Sequence, residues 1–210
     1  MIKQLNKNAK AMEFTSFTKK DHVSDDELIR TVMQFENAFL SNQKGIVFHC
    51  LVRNLNNNYA NVLFVEDMEV LKEMEKTIQN NTSAQDFFDL IKTDSVQMNF
   101  QTIEKENFSI PKYFSCIEYG SFSLKDKSNY QALLNTSNTI ETEYLFKASN
   151  TQAHFIGKIA ENRFSEVTLG NTLGKTKEIC FGYTENEYCK PMLEMADDTT
   201  MELDFWYLIA

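Results

Sequence analysis

Two histidines and two glutamates recur at matching places in this chain. His49 and His154 are 105 residues apart, and so are Glu13 and Glu118. An imidazole can take or give a proton near neutral pH, and a carboxylate beside it orients the ring. That makes His49 and His154 candidate general bases, with Glu13 and Glu118 as their partners. Arg53 and Lys158 stand four residues after the two histidines. A cation there could hold a carboxylate or stabilise an enolate. The competing readings are structural: hydrogen-bonded core histidines and strand-end salt bridges. No metal is expected, because each half brings only one such His and no paired ligand spacing. Gly170 and Gly174 do not make a phosphate loop, since Gly-x-x-x-Gly-Lys-Thr at 170–176 is one residue short of the G-x-x-x-x-G-K-[ST] spacing.

The same offset runs through the whole chain without a gap. Residues 13–21 read Glu-Phe-Thr-Ser-Phe-Thr-Lys-Lys-Asp, and residues 118–126 read Glu-Tyr-Gly-Ser-Phe-Ser-Leu-Lys-Asp. It pairs Leu28 with Leu133, Glu36 with Glu141, Asn57 with Asn162 and Phe100 with Phe205. One module is therefore written twice, with repeats expected at 12–105 and 116–210 and a linker at 106–115 marked by Pro111.

Composition narrows the class. An apolar fraction of 42% with 17 Phe, 8 Tyr and one Trp is enough for packed cores. The net charge of −9 argues against nucleic acid and against a polybasic membrane surface. Cys50, Cys116, Cys180 and Cys189 form no C-x-x-C pair and no shared repeat position, so reduced thiols in a cytoplasmic protein are expected. The first ten residues hold no apolar h-region, which speaks against a signal peptide. No apolar run approaches membrane-span length.

Each repeat reads β-α-β-β-α-β. Residues 12–20 alternate as a strand. Ser24 and Glu27 form a capping box before a stripe of Leu28, Val32, Phe35 and Phe39, and Gly45 reads as the C-cap. Strands at 46–55 and 59–66 flank an Asn56-Asn57-Asn58 turn. A second helix starts near Asp67, breaks at 80–83, and a strand follows at 95–103. The second repeat gives a strand at 116–125, a helix at 128–148, a hairpin at 151–169, helical structure at 173–195 and a strand at 200–209. Its glycines leave 179–183 open to an extended form. Such a unit is an antiparallel four-stranded sheet with both helices on one face. The class is α+β: two tandem ferredoxin-like repeats.

In this order of elements the chain resembles the dimeric α+β-barrel superfamily, the antibiotic-biosynthesis-monooxygenase-like proteins. The resemblance implies a pseudo-dimeric α+β barrel built within one chain, as a monomer or a homodimer. It implies a cofactor-independent monooxygenase-like protein holding a small apolar or aromatic molecule in the barrel. The alternatives are a non-catalytic binding or interaction protein with a filled barrel and, less favoured, a haem protein. Against haem, the first strands lack the expected Asn and neither second helix carries a His.

If Phe48, Cys50 and Val52 face the helices, His49 and Arg53 face the barrel. Glu13, Thr15 and Phe17 are placed with them, as are Asn99, Glu118, Phe122, His154, Lys158, Asp204 and Trp206. Phe17, Phe122, Asn99, Asp204 and Trp206 would then line a ligand site with Arg53 and Lys158. Gly120 and Trp206 suggest the roomier or more specialised pocket in the second repeat.

Overall fold

The computed structural model describes residues 2–4 and 7–210; Met1, Leu5 and Asn6, part of the N-terminal stretch read above, lie outside the described residues. The first repeat runs β1 (Ala11–Phe17), α1 (Asp25–Ala38), β2 (Ile46–Asn54), β3 (Tyr59–Val65), α2 (Met68–Ile78), α3 (Thr82–Phe88) and β4 (Gln97–Ile103). The second runs β5 (Cys116–Ser123), α4 (Tyr130–Glu143), β6 (Thr151–Ala160), β7 (Arg163–Gly170), α5 (Leu173–Phe181), α6 (Lys190–Met195) and β8 (Glu202–Leu208). The eight strands form a closed barrel in the order β1-β3-β2-β8-β5-β7-β6-β4. This is the α+β barrel of two ferredoxin-like repeats.

Two compact units divide the chain. One holds residues up to Thr102 with Asn107–Ile110 and Leu208–Ala210; the other holds Ile103–Glu106 and Pro111–Tyr207. The tails are therefore exchanged relative to a plain cut at the linker. The Leu51 N–H donates to the Ala210 carbonyl at 2.8 Å, and the Glu104 N–H to that of Ile156 at 2.8 Å.

Local chemistry explains most boundaries. The Ser24 hydroxyl accepts from the Glu27 N–H at 3.1 Å and starts α1. Asp67 caps α2 and Asn81 caps α3. Asn57 carries the left-handed backbone of the first hairpin, at φ 63°. Gly45 does not cap α1. The helix ends at Ala38, a 3-10 turn covers Leu40–Asn42, and Gly45 at φ 85° turns the chain into β2. The stretch 179–183 is not extended: α5 continues to Phe181, and a 3-10 turn follows at Gly182–Thr184. A Cβ on Gly182 would sit 2.2 Å from the Tyr144 hydroxyl, which donates to the Ile179 carbonyl at 2.7 Å. The glycine is needed there for space.

Each helix layer is apolar toward its sheet. Leu28, Val32, Phe35, Leu71, Met74 and Phe87 pack on Phe17, Leu51, Tyr59 and Leu63. Leu133, Ile140, Ile179 and Met192 pack on Phe122, Ile156 and Phe164. Each such side chain contributes roughly 1.5–3 kcal/mol by leaving water.

Candidate functional site

The helix-facing side of each sheet holds the two histidines. His49 pairs with Leu63 in the register, Leu63 with Glu13, and Asn61 with Thr15 and Leu51. Opposite residues of an antiparallel pair share a face, and Leu51 and Leu63 lie among the residues of α1. Glu13, Thr15, Phe17 and His49 thus share a face as expected, but it is the helix side. The facing of β2 was inverted: Phe48, Cys50 and Val52 are on the side away from the helices. The cause is legible in the burial of β2, where eight of nine residues are buried on both faces. A strand buried on both sides has no hydrophobic alternation to follow. In the second unit Glu118, Gly120, Phe122, His154 and Lys158 are likewise on the helix side, through Glu118–Thr168–His154 and Phe122–Phe164–Lys158 register pairs.

Partners reached from the helix explain that choice. Glu36 follows Leu28 and Val32 at intervals of four on the buried stripe of α1. Its Oε2 is 2.7 Å from His49 Nδ1, and Asn61 Oδ1 is 2.7 Å from His49 Nε2. The Ile2 N–H donates to the same carboxylate at 3.1 Å. Burial is the largest single influence and works against the Glu36 charge, but hydrogen bonding and positive charge from His49 and other donors together outweigh it and hold the pKa down at about 2.

The second unit repeats this arrangement with more charge. His154 Nδ1 is 3.4 Å from Glu141 Oε2, and its Nε2 is 2.9 Å from Glu166 Oε1. Lys105 Nζ donates to both Glu141 oxygens at 2.6 and 2.5 Å and to the His154 carbonyl at 3.1 Å. The Tyr183 hydroxyl donates to Glu166 Oε1 at 2.9 Å. Burial disfavours the imidazolium, yet hydrogen bonds and charge from Glu141 and Glu166 lift the His154 pKa to about 9. His154 is therefore a buried cation between two carboxylates. Asn61 and Glu166 hold the same repeat position. An amide can turn to offer the ring either oxygen or nitrogen, whereas a carboxylate only accepts.

The expected orienting role of Glu13 and Glu118 falls to Glu36 and Glu141. Glu13 accepts instead from the Thr15 hydroxyl at 2.7 Å. Burial is the main reason that its pKa is raised, with Thr15 and His49 acting the other way. Burial and then the Glu166 charge raise the Glu118 pKa. Glu36 and Glu141 were missed as site residues, although their identity across the repeat, 13 residues before each His, was a usable signal.

Each unit has a cavity between its sheet and its helices. In the first it measures about 420 Å³, with Glu13, Thr15 and Asn61 on the sheet wall and Phe17, Phe35, Phe87, Phe88 and Phe100 among the apolar lining. In the second it measures about 240 Å³ and is bordered by Glu118, Phe122, Glu166, Cys180 and Tyr183. The roomier of the two is in the first repeat, against the expectation of a roomier second site, because Tyr183 stands where the first repeat has Ile78 and reaches Glu166 with its hydroxyl. These cavities, not the side of the sheet away from the helices, hold Glu13, Glu118, Phe17 and Phe122.

Other candidates are not gathered there. Arg53 forms a strand-end pair with Asp25 at 2.7 Å, and its guanidinium lies over the Tyr59 ring at 5.5 Å. Lys158 lies over the Tyr130 ring at 4.8 Å. Asn99, Asp204 and Trp206 alternate with Met98, Phe100, Leu203 and Phe205 along β4 and β8. Met98, Phe100 and Leu203 line the cavities, so Asn99, Asp204 and Trp206 are on the opposite face, where they had been placed. Among the described residues, no group of three His, Cys, Asp or Glu could hold a metal ion.

No family model matches the chain, and no curated protein matches it. Solved structures do match over nearly its full length. A candidate monooxygenase from Fusobacterium nucleatum superposes with a TM-score of 0.68 at 11% identity, covering 97% of this chain and 94% of that one. A candidate monooxygenase from Lactobacillus acidophilus gives 0.65 at 9% identity, over 95% and 94%. A heme-binding protein from Thermus thermophilus gives 0.62 at 6% identity, over 96% and 92%. At these identities the likeness is one of fold.

Haem has a direct test in the residues. The chain has three His. Both ring nitrogens of His49 and His154 are engaged by Glu or Asn side chains, and neither ring lines either of the two cavities. His22 is exposed in the loop before α1. These two cavities therefore receive no imidazole to ligate iron. Among the described residues, no helix is long and apolar enough to cross a membrane.

Proposed function

We propose that the first unit binds a small apolar, aromatic molecule between its sheet and helices and acts on it as a cofactor-independent monooxygenase. The observation that carries this reading is the aromatic-lined cavity of about 420 Å³ with one buried carboxyl, Glu13, on its wall. That volume lies in the range of small-molecule sites. Walls of Phe and Leu suit a planar ring system, and Asn61 offers it a hydrogen-bonding group.

In this reading the proton acceptor is Glu13 rather than His49. A carboxylate whose pKa is raised by burial is a stronger base when ionised. It removes a proton from an acidic C–H or O–H of the substrate. The substrate anion then adds O2 at carbon to give a hydroperoxide, which loses water to leave a carbonyl; one oxygen atom ends in the product and the other in water, with all four electrons supplied by the substrate. Glu36 and His49 are positioning residues that fix the Asn61 amide.

The test uses a panel of phenols and tricyclic ketones, from naphthol to anthrone, with oxygen uptake and calorimetric binding as readouts. The expected result is saturable binding that Met74→Trp removes, and oxygen uptake that Glu13→Gln removes while binding survives. Binding without oxygen uptake would leave a binding protein. No binding sensitive to Met74→Trp would end the reading.

A further inference from the structure

The second cavity is the more acidic of the two, with three glutamates on its border against Glu13 and Glu75 in the first. Its border carries Glu118, Glu166 and Glu202 and no Lys or Arg. Behind that wall carboxyl groups outnumber cations. Glu118, Glu141 and Glu166 are three carboxyl groups, against the two cations His154 and Lys105. Glu141 is held by Lys105 and His154, and Glu166 by His154 and Tyr183, which leaves Glu118 without a cation. Glu118 is 2% exposed, and a thiol, Cys180, is its hydrogen-bonding neighbour. A carboxylate can accept about four hydrogen bonds. Thr168, opposite both Glu118 and His154 in the register, is buried with an unpartnered hydroxyl.

The mouth of the same cavity is apolar and open to water. Phe181, Met201 and Leu203 line it and are 61%, 44% and 48% exposed. The cavity thus offers an apolar rim and an acidic floor in a space of about 240 Å³.

We infer that the second unit binds a small aryl-alkyl or alkyl amine as its ammonium ion, with the apolar body against Phe181, Met201 and Leu203 and the cation on Glu118. Two features select that chemistry. An anion would meet three glutamates and no cation, and a neutral molecule would leave Glu118 protonated, without the ion pair that an ammonium can form there. Its volume suits a body of roughly eight waters' worth of liquid, about the size of 2-phenylethylamine.

Proton release follows from the geometry. The groups facing Glu118 are Glu166 on β7, His154 on β6, Cys180 on α5, Tyr183 in the turn after it and Tyr144 after α4. Burial and Glu166 favour a protonated Glu118 in the empty cavity. An arriving ammonium favours the carboxylate, so Glu118 sheds its proton on binding.

The experiment is calorimetric titration of the full chain with 2-phenylethylamine and its neutral counterpart 2-phenylethanol, at pH 7 in buffers of different ionisation enthalpy. The expected result is at least about tenfold tighter binding of the amine, with net proton release. Glu118→Gln should abolish both the release and the preference. Gly120→Val, whose Cβ has ordinary contacts to Leu203 and Glu202, should fill the cavity and remove binding of both probes. Equal affinity for amine and alcohol, amine binding without proton release, no amine binding, or binding unaffected by Gly120→Val would each overturn the inference. None of these outcomes touches the first cavity, whose probes are neutral phenols and ketones.

Discussion

Raising the pH from 7 to 10 should remove a definable part of this protein's stability through His154. Folding lifts its pKa from 6.5 to about 9. At about 1.36 kcal/mol per unit, the difference of roughly 2.5 units corresponds to about 3.4 kcal/mol in full. Because the native state holds the proton more tightly, this stability is complete below about 6.5 and gone above about 9. At pH 7 the unfolded chain has already lost most of that proton, so about 2.5 kcal/mol remains to be lost by pH 10. Glu118, also raised, adds loss in the same direction. Urea unfolding at half-unit pH steps measures the total, and NMR titration of the His154 ring places its midpoint. Glu166→Gln removes one of the two carboxylates, and the His154 midpoint should fall by about one unit or more. A ring titrating near 6.5 in the parent protein, or a stability change well under 2 kcal/mol between pH 7 and 10, would refute the buried-cation assignment.

Three further outcomes follow from the same structure. Asn61→Ala takes away the partner of His49 Nε2 at a buried position, and urea unfolding should show a loss of about 1–3 kcal/mol. Gly170→Ala would place a Cβ 2.1 Å from Thr176 Oγ1 and 3.1 Å from Cys116 Sγ; thermal unfolding should report about 1–3 kcal/mol of destabilisation. Glu36, depressed from 4.5 to about 2, contributes stability that is present above pH 4.5 and lost as pH falls toward 2. Glu36→Gln should flatten that part of the acid unfolding curve, and an unchanged slope would contradict the Glu36–His49 pairing.

Much of the fold was legible because the repeat doubled every signal. The Ser24 and Asp67 caps, the Asn57 turn and the stripe through Leu28, Val32 and Phe35 each mark an element without help from the rest of the chain. The direction of β2 was not legible, because Phe48 and Leu51 are both wholly buried and alternation between them carries no sign. The direction of β4 was legible from residue type: polar Gln97, Asn99 and Gln101 alternate with Met98 and Phe100, which face the helices. The buried hydrogen-bond chains were half legible. Identical Glu36 and Glu141 pointed to them, but the third partner differs between repeats, Asn61 against Glu166, and a difference carries no signal in a search for sameness. Residues 103–106 and 208–210 exchange units through long-range pairing, which no local pattern announces.

The pairing of His154 also governs how the molecule can respond to a change of charge. Its ring is 0% exposed, and both nitrogens are within hydrogen-bonding reach of carboxylates. A proton on that ring can still reach water through Glu141, whose side chain is 13% exposed and paired with the 29% exposed Lys105. Nε2 points the other way, to Glu166 beside Tyr183. The imidazole is thus wired to solvent on one side and to the second cavity on the other, and a change of charge at Glu166 can be answered at the surface without the helix layer moving.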